Sequence, residues 1–415
     1  MRILYCCLQL PWPLDNGQKI VCFNDLKYLS TRFEVDVISY IDPINLSRKD
    51  EYLKVLHEKL PNVNFLDPIT HRILIANSLL DKLRYYIYGL VKTIPFVVSK
   101  YRNAQYLQLL KNTYNAKSHE FVYIESLASS YILDELKRIK KSPTKIIYRS
   151  YDIFHETVAG YSKELGFRPT GIAAYIDAMI CKAYEHRVWM SVDLVFNVTR
   201  RLSKIMIDQV PSIDSSKIFY FPVFVEPLHV DPRITNEISA EVLYIGTVHY
   251  PPNLSGLQWF LKEVWPYVLA RHPDARFSIV GRGGEHLLPV DPSVSIHSYV
   301  EDIESFYQDA TVFVVPLFSG SGIRLKILDA FNHGIPVVST KVGYEGLEIT
   351  ENRDILVSDQ PLEFARHIIY LLDSYEGRQY LIQNAKNFIN VNHSPDLASS
   401  VLDELALRLN TDDKR

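Results

Sequence analysis

Short apolar runs alternate with amphipathic stretches along almost the whole chain. Arg2–Cys7, Glu34–Tyr40, Phe121–Glu125, Lys145–Arg149 and Asp193–Val198 are compact and rich in β-branched and aromatic residues, so they read as buried strands. Between and after them, Gly17–Thr31, 127–141, Ala173–Met190 and Arg201–Gln209 repeat apolar positions at helical spacing. Strands that alternate with helices predict a parallel sheet with right-handed crossovers. Periodicity then lapses around Pro211, Pro222, Pro227 and Pro232, which places a domain joint near 222–239. The alternation resumes at Glu241 with a strand, a helix over 252–271, a second strand and a glycine loop, and it continues to about residue 390. The tail, 396–409, reads as an amphipathic helix, and Thr411–Arg415 are expected to fray. The predicted organisation is 1–222, 223–395 and a tail 396–415.

Composition narrows this picture only slightly. A chain of 415 residues with 47% hydrophobic and 22% charged positions has ample material for two α/β domains. A net charge of −3 gives no global basic field, so nucleic acid is not an expected partner. The four cysteines, Cys6, Cys7, Cys22 and Cys181, have no metal or redox spacing, so buried free thiols and a reducing cytoplasm are expected. Met1–Tyr5 runs straight into a strand without the apolar run of a signal peptide. No stretch offers the ~20 uninterrupted apolar residues that a spanning helix needs.

Residues 315–347 carry the most chemistry. A strand over Thr311–Pro316 leads into Gly320-Ser321-Gly322, then a helix with Arg324 and Lys326 in its first turns and Asp329 beyond. Gly334-Ile335-Pro336 stops the helix before a strand at Val337–Thr340. A helix N-terminus presents unpaired N–H groups and partial positive charge, and glycines let a phosphate approach the backbone. Arg324 and Lys326 add full charge and donors. Lys326 and Asp329 are three apart, about 4.5 Å along a helix axis at ~1.5 Å per residue, which suits a diphosphate followed by a ribose. The alternative is a solvated helix start with a charged surface.

This segment resembles the donor-site signature of GT-B glycosyltransferases, in the large retaining group that includes family 4. The close form is Gly-Ser-Gly-x-Arg-Leu-Lys-x-Leu-Glu-Ala followed by Gly-x-Pro-Val-Val-Ser-Thr. Tyr244-Ile245-Gly246-Thr247, Tyr250-Pro251-Pro252-Asn253 and Trp259-Phe260 are similar to the opening of that family's donor domain, and Phe277–Gly284 to its second strand and glycine loop. Pro11-Trp12-Pro13-Leu14-Asp15-Asn16-Gly17 resembles the loop after the first strand. The resemblance implies an α/β GT-B fold, two Rossmann-like parallel-sheet domains facing a central cleft, and a tail that packs back on the first domain. It implies donor contacts at Gly17, Gly246, Asn253, Tyr299, Val300, Gly320, Ser321, Gly322 and Asp329. Two departures matter. The family's paired glutamates, seven residues apart, are Ser321 and Asp329 here, so the sugar is not carried over. Its Arg and Lys after the first donor-domain strand are replaced in the region of Thr247 and Asn253, which leaves the phosphate charge to Arg324 and Lys326.

On the acceptor side, Arg149-Ser150-Tyr151-Asp152-Ile153-Phe154-His155-Glu156 is similar to the family's Arg-Ser-His-Asn-Val-Glu-His segment. Tyr151 then stands for the first His, Asp152 for the Asn, and His155 for the later His. Asp152 and His155 join Arg324 and Lys326 as catalytic candidates. The alternative is that Asp152 and Glu156 cap a helix. Glu125 and His249 are weaker candidates at strand ends. Retaining transfer in this family is thought to need no protein nucleophile, because the donor phosphate accepts the acceptor's proton. No Asp-x-Asp pair is present, so no metal and no cofactor are expected beyond a nucleotide-diphosphate sugar as co-substrate.

Residues 72–102 interleave Ile73, Leu74, Leu79, Tyr85, Tyr86, Ile87, Tyr88 and Phe96 with Arg72, Lys82, Arg84, Lys92, Lys100 and Arg102, and Ile94-Pro95 breaks the stretch into two helices. Two readings stand. The segment lies on an anionic bilayer, which suits a lipid-linked acceptor, or it packs on the first sheet with snorkelling cations. The resulting expectation is a cytoplasmic transferase, with possible peripheral contact at the inner face of the membrane, that moves a sugar to a glycan, polysaccharide or lipid-linked acceptor. The alternatives are a GT-B epimerase or hydrolase, or a non-catalytic GT-B binding subunit.

Overall fold

The computed structural model describes residues 1–71, 79–141, 143–228, 240–287, 291–298, 300, 303–320 and 322–412. The chain divides into two compact units, Met1–Val223 with Ala398–Arg415, and Phe224–Leu397.

The first unit is built on seven parallel strands: β1 (Arg2–Cys6), β2 (Glu34–Ile38), β3 (Val63–Phe65), β4 (Phe121–Ile124), β5 (Lys145–Ser150), β6 (Leu194–Asn197) and β7 (Ile218–Tyr220). Their order is β3-β2-β1-β4-β5-β6-β7. Strands β1, β4 and β6 are almost wholly buried, which explains why they read as unbroken apolar runs. The second unit holds β8 (Glu241–Ile245), β9 (Arg276–Val280), β10 (Val294–His297), β11 (Val312–Val315), β12 (Val337–Ser339) and β13 (Leu356–Val357), in the order β10-β9-β8-β11-β12-β13. All pairings in both sheets are parallel. Both units therefore repeat the doubly wound order, with a reversal beside the first strand where a crevice opens at the carboxyl ends.

Seven helices shape the candidate sites and surfaces: α1 (Gly17–Leu29), α2 (Leu79–Lys92), α3 (Phe154–Leu165), α4 (Pro169–Ser191), α5 (Pro251–Trp259), α6 (Leu325–Asn332) and α7 (Pro395–Asp412). Ile94-Pro95 does break the basic-aromatic segment, into α2 and a short helix over Phe96–Tyr101. Arg72, Ile73 and Leu74, at the head of that segment, lie outside the described residues. The expected 252–271 helix contains a π-helical turn at Phe260–Val264, followed by Trp265–Arg271. Trp265 precedes a proline that has no N–H for the ladder, so the extra residue is absorbed there. The second core has one layer around Phe260, Trp265, Phe277 and Phe364, and another around Phe313, Phe331 and Phe388. Among the described residues of α7, Leu402 and Leu405 are buried, and Arg32 pairs with Asp403 at 3.0 Å within the first unit.

Candidate functional site

The second unit gathers its polar groups at the carboxyl ends of β8 and β11. Strand β8 leads into Gly246, whose φ is +156°. A Cβ on Gly246 would lie 2.7 Å from Lys326 Nζ, 3.1 Å from the Tyr244 hydroxyl and 3.5 Å from Asn253 Nδ2. The glycine is there because a lysine ammonium occupies the place of its side chain. Strand β11 runs on to Gly320, at φ +105°, whose carbonyl accepts from Arg324 Nη2 at 2.9 Å. The same nitrogen reaches the Val342 carbonyl at 3.4 Å. Arg324 is the N-cap residue of α6, just outside the first helical turn where the sequence placed it. Its backbone, at φ −90° and ψ +76°, is not helical, so the side chain can fold back on the glycine turn.

Lys326 is half-buried. Its Nζ donates to the Tyr244 hydroxyl at 3.0 Å and lies 4.2 Å from the centre of that ring. Among the described residues no carboxylate lies within ion-pairing distance of it. Burial, and then repulsion from Arg324, lower its pKa to about 7. Burial likewise holds Arg324 below the usual guanidinium range. Two cations forced together at the head of a helix, without an acid to compensate Lys326, form a site that gains from an anion.

The other donor-side residues take varied places. Asp329 lies on α6, and burial raises its pKa to about 6. The next turn supports it: His333 Nδ1 bonds the Asp329 carbonyl at 2.7 Å, and Nε2 meets Glu304 at 2.8 Å. Asn253 is buried in α5, and its side chain donates to the Thr247 carbonyl at 2.7 Å. It braces the loop after β8, a role the sequence did not suggest. His249 Nδ1 is 3.3 Å from the Arg282 carbonyl, which ties the same loop to the one after β9. Val300 packs against the second core layer. Gly322, at φ +86°, leaves its carbonyl close against Gly346. Tyr299 and Ser321 lie outside the described residues.

In the first unit the candidate residues have structural partners of their own. Gly17 is the first residue of α1, capped by Asn16, whose side chain accepts from the Lys19 N–H at 3.0 Å. His155 is drawn inward, and its Nδ1 meets Glu185 at 2.6 Å. Glu185, fully buried on α4, also accepts from the Phe154 and His155 N–H groups at 2.9 Å. It supplies the anion at the start of α3 that Asp152 or Glu156 was expected to supply. No local pattern signalled it, because the acid lies 30 residues away on another helix. Asp152 is half-buried, with the Thr157 hydroxyl 3.5 Å from its carboxylate. Glu125 is buried just beyond the end of β4, accepting from the Leu8 N–H at 2.7 Å and from the Tyr151 hydroxyl at 3.3 Å. Burial raises its pKa to about 8.

The cysteines are free and buried, as expected. Their spacing nevertheless concealed a cluster, for ligand atoms of Cys7, Cys22 and Glu125 lie within 4.8 Å of one another. Burial raises both thiol pKa values, so these groups pack as neutral acids. Nearby, Arg149 and Asp25 form a fully buried pair at 2.9 Å, and the Tyr123 hydroxyl donates to Asp25 at 2.8 Å.

Comparison with known proteins agrees with the fold. The chain resembles HepE from Anabaena, crystallised with UDP, with 12% identity over 99% of this chain and 100% of that one and a TM-score of 0.64. A variant of S. aureus TarM, crystallised with fondaparinux, alpha-GlcNAc-glycerol and UDP, matches at 13% identity over 99% and 100% of the two chains, with a TM-score of 0.67. Sucrose-phosphate synthase from Thermosynechococcus elongatus matches at 15% over 99% and 100%, with a TM-score of 0.66. These likenesses, with the two parallel sheets, define the fold as GT-B. Residues 239–374, within the second unit, match the family model of glycosyl transferases group 1, the family that the glycine–arginine–lysine segment resembles. An uncharacterised 44.6 kDa protein in the cps region of Klebsiella pneumoniae is 22% identical over 97% of this chain and 99% of its own length.

Proposed function

We propose that the protein transfers a sugar from a nucleoside diphosphate sugar to a glycan, polysaccharide or lipid-linked acceptor at the cytoplasmic face of a membrane, with retention of configuration. The observation that carries this reading is the Lys326 ammonium, lowered to a pKa of about 7 beside Arg324 and set under the Gly246 turn. A diphosphate seated there restores the charged lysine and meets two cations where its own charge grows as the sugar departs. Stabilising that developing charge is the main catalytic demand of the reaction. Asp329, on the same helix, serves the ribose hydroxyls. Gly320 and Gly322 let the phosphates approach the backbone, and Val300 lies on the side of the base. Asp152 is the acceptor-side polar group of this reading, while His155 and Glu185 hold the start of α3. UDP in the HepE and TarM structures makes it the first nucleotide to test. The two cations perform the neutralisation that a divalent metal performs elsewhere, so the reading needs no metal.

The test is calorimetry with a panel of nucleoside diphosphates, with and without EDTA, followed by transfer from the matching nucleotide sugar. Selective binding that survives EDTA and is lost in Lys326→Ala, with sugar release only when acceptor is present, is the expected result. Release without acceptor would favour a hydrolase or epimerase. Failure of every nucleotide to bind would leave a GT-B binding subunit.

A further inference from the structure

The first unit exposes an apolar surface that the nucleotide chemistry does not use. On α2, Leu80, Leu83, Ile87, Leu90 and Val91 are all exposed, Leu80 at 79% and Val91 at 74%. Their spacing puts them on one stripe of the helix. The opposite side is the anchored one: Gly89 is buried against the Ile94 carbonyl, and the Ser99 hydroxyl donates to the Tyr85 carbonyl at 3.0 Å. On α4, Ile172, Tyr175, Ile176 and Met179 form a second exposed stripe. Phe167, in the turn between α3 and α4, is 99% exposed, and Tyr161 on α3 is half exposed. The two stripes sit on adjoining helices, because the Tyr86 hydroxyl donates to the Ala173 carbonyl at 2.7 Å and the Phe96 N–H donates to Asp177 at 2.8 Å. Large apolar side chains gathered in this way mark a place where something else binds.

Charge identifies the occupant. Lys82, Arg84, Lys92, Lys163, Arg168 and Lys182 are exposed on the same helices and turn, although the whole chain carries a net charge of −3. Helices α2 and α4 also wall a groove of about 360 Å³ that four cations, Lys92, Arg102, Lys137 and Arg187, line against the single acid Asp134. A second copy of the chain would bring like charges together across a symmetric contact. An anionic bilayer offers the complement: headgroup phosphates for the cations and acyl chains for the stripe. Among the described residues no helix is long and apolar enough to cross a membrane.

We propose that the first unit docks on an anionic phospholipid surface through the exposed faces of α2 and α4 and the Phe167 turn. This deepens the membrane side of the proposed function and rests on that reading for its purpose, to bring the enzyme to a lipid-linked acceptor. The binding itself does not depend on the sugar chemistry.

The test is flotation of the full chain with vesicles of phosphatidylcholine alone and of phosphatidylcholine with phosphatidylglycerol, at low and high salt. Wild type is expected to float with the anionic vesicles and to be released by salt, since the lipid charges are screened. The pairs Ile87→Glu with Val91→Glu, and Tyr175→Glu with Met179→Glu, are expected to weaken binding at least about tenfold, following the free energy of apolar insertion. Lys82→Glu with Arg84→Glu should remove the preference for phosphatidylglycerol. All six positions are exposed, so thermal melts and UDP binding should match wild type and confirm folding. A wild type that ignores anionic vesicles, or apolar variants that bind like wild type, would overturn the inference. So would a concentration-dependent dimer abolished by the same variants without vesicle binding, which would make this face an interface between copies. Vesicle binding without sugar transfer would leave this inference standing and count against the proposed function. Transfer to a soluble acceptor by a chain that ignores vesicles would do the reverse.

Discussion

The two sheets share one topology, yet the crevices beside their first strands hold opposite chemistry. In the second unit the crevice between β8 and β11 is lined by glycine backbone and occupied by Lys326 and Arg324, with Tyr244 as the lysine's neighbour. In the first unit the corresponding place, between β1 and β4, is filled by Glu125 with Cys7, Cys22 and Tyr151, and burial raises the pKa of each, which disfavours charge there. One crevice is left poised for an anion, and the other is closed by side chains that need none. The doubly wound order provides a place for a ligand. Whether the place is open depends on which side chains the first and fourth strands deliver.

The sharpest way to break this contrast is Lys326→Ala. Loss of one buried, charge-assisted interaction costs about 1.5–3 kcal/mol, so nucleoside diphosphate binding should weaken at least tenfold and most turnover should vanish. Normal affinity by calorimetry would remove the anion site from the second unit and with it the contrast. Next in size is the effect of pH. Free Lys326 loses its proton as the pH rises through about 7, while a bound diphosphate favours the charged form. Binding above that pH therefore takes up a proton, and affinity should fall by up to about tenfold per pH unit. Lys326→Arg, which stays charged, should flatten the curve, and calorimetry in buffers of different ionisation enthalpy reads the proton directly.

A smaller effect is expected from Gly246→Ala. The new methyl would stand 2.7 Å from Lys326 Nζ in a backbone conformation that favours glycine. The lysine is flexible enough to move aside, so binding should weaken several-fold while the fold persists, as a melt would show. The smallest effect belongs to the first unit. Glu125 has its pKa raised to about 8, well above the ordinary carboxylate value. Its contribution to stability is therefore full below about pH 4.5 and is lost as pH rises through about 8. Glu125→Gln should flatten the decline in melting temperature between about pH 5 and 8 and leave nucleotide binding unchanged. Some decline should remain, because Asp25 is also raised, to about 6, with the same sign. A large change in nucleotide affinity in Glu125→Gln would mean that the two crevices are not as separate in function as their chemistry suggests.

Much of the molecule was legible in the chain. The order of strands and helices followed from periodicity, since a strand buried on both faces and a helix with one apolar side leave different local marks. The glycine turn at 320–322 and the Arg324–Lys326–Asp329 spacing were local as well, so they could be read without knowing what they faced. Small shifts in place had local causes too, such as the π-helical turn before Trp265-Pro266, which no periodic pattern announces.

What the sequence determined by itself was the alternation that makes two parallel sheets and the short segment that places two cations at a helix start, because both are properties of residues a few positions apart. Only the tertiary structure decided which charges are paired and which are not. Tyr244 meets Lys326 across 82 residues, and Glu185 rather than a neighbouring acid anchors His155. Tyr151 meets Glu125 from the next strand, and the stripe on α2 stays exposed when its pattern alone would equally suit a buried helix. Burial sets the cost of a charge and the value of an apolar surface, and burial is fixed by neighbours that the chain brings together only on folding.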